Sequence, residues 1–138
     1  MVADLDTTRS AHHMVCTVDE RATGAAVEIL ARGGNAVDAA VAANTVLTVV
    51  APHMCGMGGD LFAIIHDGRG LPKVLNASGR AGSGASAAAV RAEGHDRIPN
   101  RHHIAAVTLP GCVDGWVAMH ARFGHLPLTD LVADAVSL

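Results

Sequence analysis

Gly33-Gly34-Asn35-Ala36-Val37-Asp38-Ala39-Ala40 and, further along, Pro52-His53-Met54-Cys55-Gly56-Met57-Gly58-Gly59-Asp60 are the two stretches that decide how this chain folds. Between them Val41 to Val50 is apolar on nearly every side, so two glycine-dense turns bracket a buried helix. Asn35 is placed to cap that helix, which is expected to run to about Val49 before Pro52. Upstream, Asp19 stands where an N-cap belongs, and Ala22, Ala25, Ala26, Ile29 and Leu30 recur with the spacing of one apolar helical stripe, leaving Glu20, Glu28 and Arg32 to face away. Gly33-Gly34 closes this first helix, because glycine enters the left-handed region without a Cβ penalty.

The same reading extends outward in both directions. Residues 1–13 are expected to be a loose, disordered leader, and Met14-Val15-Cys16-Thr17-Val18 reads as a short strand. Leu61-Phe62-Ala63-Ile64-Ile65 predicts a strand buried on both faces. Asp67-Gly68 signals a hairpin, and Val74 to Ala77 form the returning strand. A small-residue loop over 78–86 leads to a helix from Ser86 to Glu93, and Ala105 to Leu109 reads as a strand broken by Pro110-Gly111. Val113, Trp116, Val117 and Ala121 then share a helical face up to Gly124, and Thr129 is the expected cap of a last helix. Helices mixed with hairpin-paired strands predict α/β or α+β layers rather than a serial parallel βαβ fold.

Composition bounds the function. Half of the 138 residues are hydrophobic but only 2% are aromatic, so the apolar content is mostly Ala and Val, and small side chains each remove little area from water. Such helices need close neighbours. Because the sequence also stops inside an apolar helical pattern, it reads as the N-terminal part of a larger protein. A net charge of −3 with ten scattered Lys and Arg argues against a nucleic-acid partner. Met1 to His13 has no signal-like apolar stretch and Val41 to Val50 is too short to span a bilayer, so no membrane role is expected and the cytoplasm is the expected address. Three cysteines without a Cys-x-x-Cys spacing fit a reducing compartment.

Most candidate sites read as structural. Gly56-Met57-Gly58-Gly59 follows a helix and precedes a strand, the reverse of a dinucleotide fingerprint, so a tight turn is the better account. Asp60 caps that turn or holds an active-site group, and capping is the plainer role. Nine histidines raise the question of metal, yet His12-His13 and His102-His103 are adjacent pairs that point to opposite faces on extended backbone; no metal site is expected. Cys16 is expected to be a small buried residue of a core strand, and Cys55 is the reachable cysteine, with no partner for nucleophilic chemistry assignable from sequence. Ser78-Gly79-Arg80-Ala81 is the most promising segment: an Arg in a glycine-rich loop just past a core strand can present its planar fork to a carboxylate, although an exposed, solvated Arg is the common case.

Four blocks carry a family resemblance: Gly33 to Ala40, Pro52 to Phe62, Asn76 to Ala81, and Ala106-Val107-Thr108-Leu109-Pro110-Gly111 through Gly115-Trp116 to Phe123-Gly124 and Leu126-Pro127. In this order they resemble the start of the large subunit of the gamma-glutamyltransferase (gamma-glutamyltranspeptidase) family. The resemblance implies an α+β fold, the N-terminal portion of the four-layer αββα sandwich of the N-terminal nucleophile hydrolases, with 1–138 a partial large-subunit domain. It implies a precursor that cuts itself to expose a threonine on a small subunit, whose hydroxyl attacks a gamma-glutamyl carbonyl with its own α-amine as base. It matches Arg80 to the arginine that grips the substrate α-carboxylate, and it implies no cofactor. Many members follow this arginine with an acidic residue; here Ala81 follows, and the Ser-Gly-Arg-Ala form resembles an acylase-like subgroup. Gly82 stands where that subgroup commonly has proline, which predicts a looser loop. No threonine of this chain follows the family's cleavage motif, so the chain alone is expected to be inactive, with the catalytic threonine on a small-subunit partner. The expectations to test are a gamma-glutamyl transferase or hydrolase acting on glutathione-like amides, an acylase or specialised-metabolism hydrolase on the same scaffold, or a truncated, non-catalytic binding or assembly module.

Overall fold

The computed structural model describes residues 12–99 and 103–138. The expected leader, 1–13, lies outside them except for His12 and His13, which are exposed. Along the chain run α1 (Glu20–Ala31), α2 (Ala36–Val50), β1 (Leu61–Ile65), β2 (Lys73–Ala77), α3 (Ala87–Ala92), a 3₁₀ turn (Ile104–Ala106), α4 (Cys112–Phe123), α5 (Leu128–Leu131) and α6 (Ala133–Ser137). They divide into two compact units, one formed by the chain up to Ala51 together with Gly124–Leu138, the other by Pro52–Phe123.

Among the described residues, the regular elements of the first unit are all helices. Asp19 caps α1 by accepting from the Arg21 N–H, and the helix buries Ala22, Ala25, Ala26 and Ile29. Its end is a two-bond glycine closure: Gly33 N–H donates to Leu30 O, Gly34 N–H donates to Ile29 O, and Gly33 sits at φ +89°. Asn35 and Asp38 form a reciprocal capping box at the start of α2, which packs on α1 and on α5 and α6. Val41 and Val46 on α2 and Leu131 on α5 are shut off from solvent.

Asp38 does more than cap. Its side chain is 0% exposed, and its carboxylate accepts from the N–H groups of Asn35 (2.9 Å), His125 (3.0 Å) and Leu126 (3.3 Å). A carboxylate inside an apolar helix pair is tolerated only when its lone pairs are filled in this way. Arg32 at the end of α1 adds an exposed ion pair to Asp130 of α5.

The second unit is a hairpin carrying a helix. β1 and β2 pair antiparallel with Leu61 opposite Ala77 and Ile65 opposite Lys73. α4 lies on both strands, and it approaches so closely that a Cβ on Gly115 would stand 2.7 Å from the Ala77 Cβ and 2.8 Å from Leu61 Cδ2. Glycine at that position is what lets the helix seat.

Several expectations need correction. β1 is not covered on both faces: Phe62 is 64% exposed, Ile64 76% and Val74 74%, because the described residues supply a helix to one face only. No strand forms over Met14 to Val18, since the only described strands pair with each other, and Cys16 is exposed rather than packed. In place of a strand over Ala105 to Leu109 the chain makes a 3₁₀ turn and one bridge, Thr108 to Ala81; the opposing segment bends at Gly79 and Pro110 has no N–H, so a ladder cannot propagate. On α4 the buried face is Cys112, Gly115, Trp116 and Met119, whereas Val113 and Val117 are exposed: the glycine seat sets the helix rotation. Thr129 lies inside α5 and does not cap it, because the N-cap position falls two residues earlier, at Pro127, and the last helix breaks at Val132 into α5 and α6.

Candidate functional site

Beyond β2 the chain enters Ser78-Gly79-Arg80-Ala81, and a single facing segment, Thr108-Leu109-Pro110-Gly111, holds it. Thr108 Oγ1 donates to Ser78 O (2.8 Å), Leu109 N–H donates to Arg80 O (2.9 Å), and Ala81 bridges Thr108. On the near side Asn76 Oδ1 accepts from the Ser78 N–H (3.1 Å). Gly79 is at φ +78°, and a Cβ there would overlap the Leu109 carbonyl oxygen; one on Gly111 would overlap the Ala77 carbonyl oxygen. The two backbones approach to a distance that only glycine allows. The loop expected to be loose at Gly82 is therefore pinned immediately before it.

Arg80 is exposed, and its guanidinium makes no hydrogen bond or ion pair with the described residues. A fixed backbone presenting an unengaged planar cation is an arrangement that can receive a carboxylate through two parallel N–H donors. Beside it opens a cavity of ≈ 340 Å³ lined by Ala81, Ala85, Val90, Ile98 and Ala105 together with His95, Arg91 and Arg97. Ala81 borders this cavity, and Arg80 is not among its lining residues.

The remaining candidates take structural places. Gly59 in the second glycine turn offers its carbonyl to the N–H groups of Gly111 (3.2 Å) and Cys112 (3.0 Å), so the turn closes the start of α4. Asp60 is exposed. Cys55 is half-buried; Cys112 is buried, and that burial, followed by the nearby Cys55 and Asp60, pushes its thiol up from the usual range, the opposite of what a nucleophile needs.

Histidines do converge at one place that adjacency in sequence did not reveal. Glu93, His95 and His103 bring one ligand atom each within 4.8 Å of one another. His103 Nδ1 accepts from the Ala105 N–H (3.1 Å), which leaves the ring proton on Nε2, and Nε2 donates to Glu93 Oε2 (2.8 Å). Both ring nitrogens are thereby committed to anchoring the 3₁₀ turn to the end of α3, and metal ligation by His103 would require giving up one of these bonds. His102 lies outside the described residues. No described helix is long and apolar enough to cross a membrane.

The sequence singled out Arg80 as a candidate but not the segment that faces its loop. Thr108 and Gly111 stood within a recognisable block, but nothing in their spacing says they face residues 78–81.

Comparison with known proteins adds to this geometry. A family model described as Gamma-glutamyltranspeptidase matches residues 22–138. The chain is 42% identical over 123 residues to the glutathione hydrolase-like YwrD proenzyme of Bacillus subtilis, covering 88% of this chain and 23% of that protein. It is 41% identical over 132 residues to the oxamate amidohydrolase proenzyme of Klebsiella pneumoniae, covering 92% of this chain and 25% of that one. Among solved structures, the gamma-glutamyltranspeptidase of Helicobacter pylori superimposes with a TM-score of 0.83 at 28% identity, over 96% of this chain and 38% of that one. The chain thus spans about a quarter of the length of the curated relatives it matches.

Proposed function

The chain belongs to the gamma-glutamyltranspeptidase family, and from that premise we propose that the full-length protein carrying it cleaves gamma-glutamyl amides of the glutathione type, with Arg80 holding the substrate α-carboxylate. The attacking group is a threonine outside this chain, exposed by self-cleavage on a small-subunit partner. Its hydroxyl adds to the amide carbonyl while its α-amine takes the proton; the C–N bond breaks, the amine leaves protonated, and water or an amino group then releases the acyl group from the ester. Without that threonine the 138-residue chain is silent on its own.

One observation carries the reading: an exposed guanidinium without a described partner, on a loop whose backbone is already fixed. Preorganisation favours binding because the loop gives up little freedom when a ligand arrives. The test is Arg80→Ala in the full-length protein, assayed with a gamma-glutamyl anilide. Losing a charge-assisted pair should raise KM by about tenfold to a hundredfold, with kcat changed far less. Arg80→Lys should recover only part of the loss, since an ammonium cannot make the two-pronged contact. An unchanged KM would remove Arg80 from the site.

A second reading is favoured by Ala81 and by the 41% identity to a relative named for oxamate rather than glutathione. In it the same scaffold is an acylase or amidohydrolase that takes a different acyl group against Arg80. Comparing kcat/KM for a gamma-glutamyl amide with that for simple carboxylate-bearing amides separates the two.

A further inference from the structure

We propose that Thr108 is the positioning residue of Arg80, and that Gly79 and Gly111 exist to allow the backbone approach this requires. The inference rests on the reading of Arg80 as a carboxylate clamp and adds what aims it.

Arg80 extends from a loop with two backbone anchors to the same facing segment. Immediately before Gly79, the Ser78 carbonyl takes the Thr108 hydroxyl; immediately after it, the Arg80 carbonyl takes the Leu109 N–H. The positive φ at Gly79 is thus fixed from both sides, and with it the direction in which the Arg80 Cα–Cβ bond leaves the backbone. Thr108 and Asn76 are the described side chains that hold this loop by hydrogen bonds, and Asn76 fixes only its entry. Thr108 fixes the turn itself. Gly79 and Gly111 complete the device, because a methyl group at either would push the loop off Leu109 or Ala77.

The Thr108 bond is near solvent. If the hydroxyl is removed, water replaces it at the Ser78 carbonyl, so the fold loses little while the arginine loses its fixed aim. That separation of effects makes the idea testable.

The experiment compares Thr108→Val, Thr108→Ser, Arg80→Ala and the double variant Arg80→Ala/Thr108→Val in the full-length protein with a gamma-glutamyl anilide. Thr108→Val should raise KM about fivefold, the equivalent of ~1 kcal/mol of binding, with kcat and Tm close to the parent. Thr108→Ser keeps the hydroxyl and should restore KM. The double variant should be no worse than Arg80→Ala alone, because the arginine to be aimed is gone. Gly79→Ala should raise KM further still, and if it fails to fold the Thr108 pair carries the test alone. If Arg80→Ala raises KM and Thr108→Val does not, the positioning role is wrong while the clamp stands. Additive effects with a lowered Tm would make Thr108 merely structural. If Arg80→Ala leaves KM unchanged, clamp and positioning fall together.

Discussion

Replacing Asp38 with alanine would withdraw a buried acceptor shared by the part-buried amides of Asn35, His125 and Leu126. Each of these part-buried donors deprived of its partner costs at the lower end of about 1–3 kcal/mol, so Asp38→Ala should destabilise the full-length protein by about 3 kcal/mol. Asp38→Asn retains one acceptor oxygen but turns an NH₂ toward donors, and it should fall between the two. Urea unfolding of both variants measures this, and a loss under about 1 kcal/mol for Asp38→Ala would contradict it. In the sequence Asp38 is legible only as the third residue of a helix capped by Asn35, where an acidic residue is ordinary. Its tie to His125 spans 87 positions, and no local pattern carries that information. Arg80 stood out on local grounds, as a lone cation in a run of glycine, serine and alanine, and the Arg80→Ala assay decides whether it binds a carboxylate.

The helices show which elements write themselves into sequence and which are set by their neighbours. α1 follows its stripe from the Asp19 cap to the Gly33 closure, because cap, period and stop signal agree. At its start the Arg21 guanidinium, with help from the Arg21 N–H, lowers the Asp19 carboxyl from 3.8 to about 2. A depressed carboxyl stabilises the folded form above its ordinary value and loses that contribution as the pH falls. The loss at the α1 cap therefore belongs between about pH 4 and pH 2. An NMR titration should find the Asp19 midpoint near 2, moving toward the ordinary value in Arg21→Ala; a midpoint near 4 in the parent would refute it. α4 is the contrary case. Its apolar residues offer two overlapping faces, and Gly115, which adds nothing to a hydrophobic stripe, decides between them by fitting against Ala77 and Leu61. The strand expected over Ala105 to Leu109 failed for a related reason, since pairing depends on a partner that Gly79 bends away.

At the scale of the molecule, the chain is an α+β N-terminal portion of the αββα sandwich of the N-terminal nucleophile hydrolases, built as two units. β1 and β2 expose Phe62, Ile64 and Val74 on one side of the hairpin. A contiguous apolar face open to water attracts other apolar surfaces. The 138-residue chain produced alone should therefore bind a hydrophobic dye, and Phe62→Ser with Ile64→Thr should lower that signal markedly; an unchanged signal would show that the dye reads something else. Sequence conveyed the apolar run but not its one-sided cover, because a continuous stretch looks the same whether one or both faces are packed. The first unit has a further property: its helices come from both ends of the chain, with Asp38 waiting for amides at 125 and 126. During synthesis α1 and α2 leave the ribosome well before those amides exist, so the nascent helix pair holds Asp38 by its local Asn35 bond alone until residues 125 and 126 arrive. Completion of this unit is thus timed by translation, and a ribosome paused ahead of Gly124 would hold it open to proteases and chaperones.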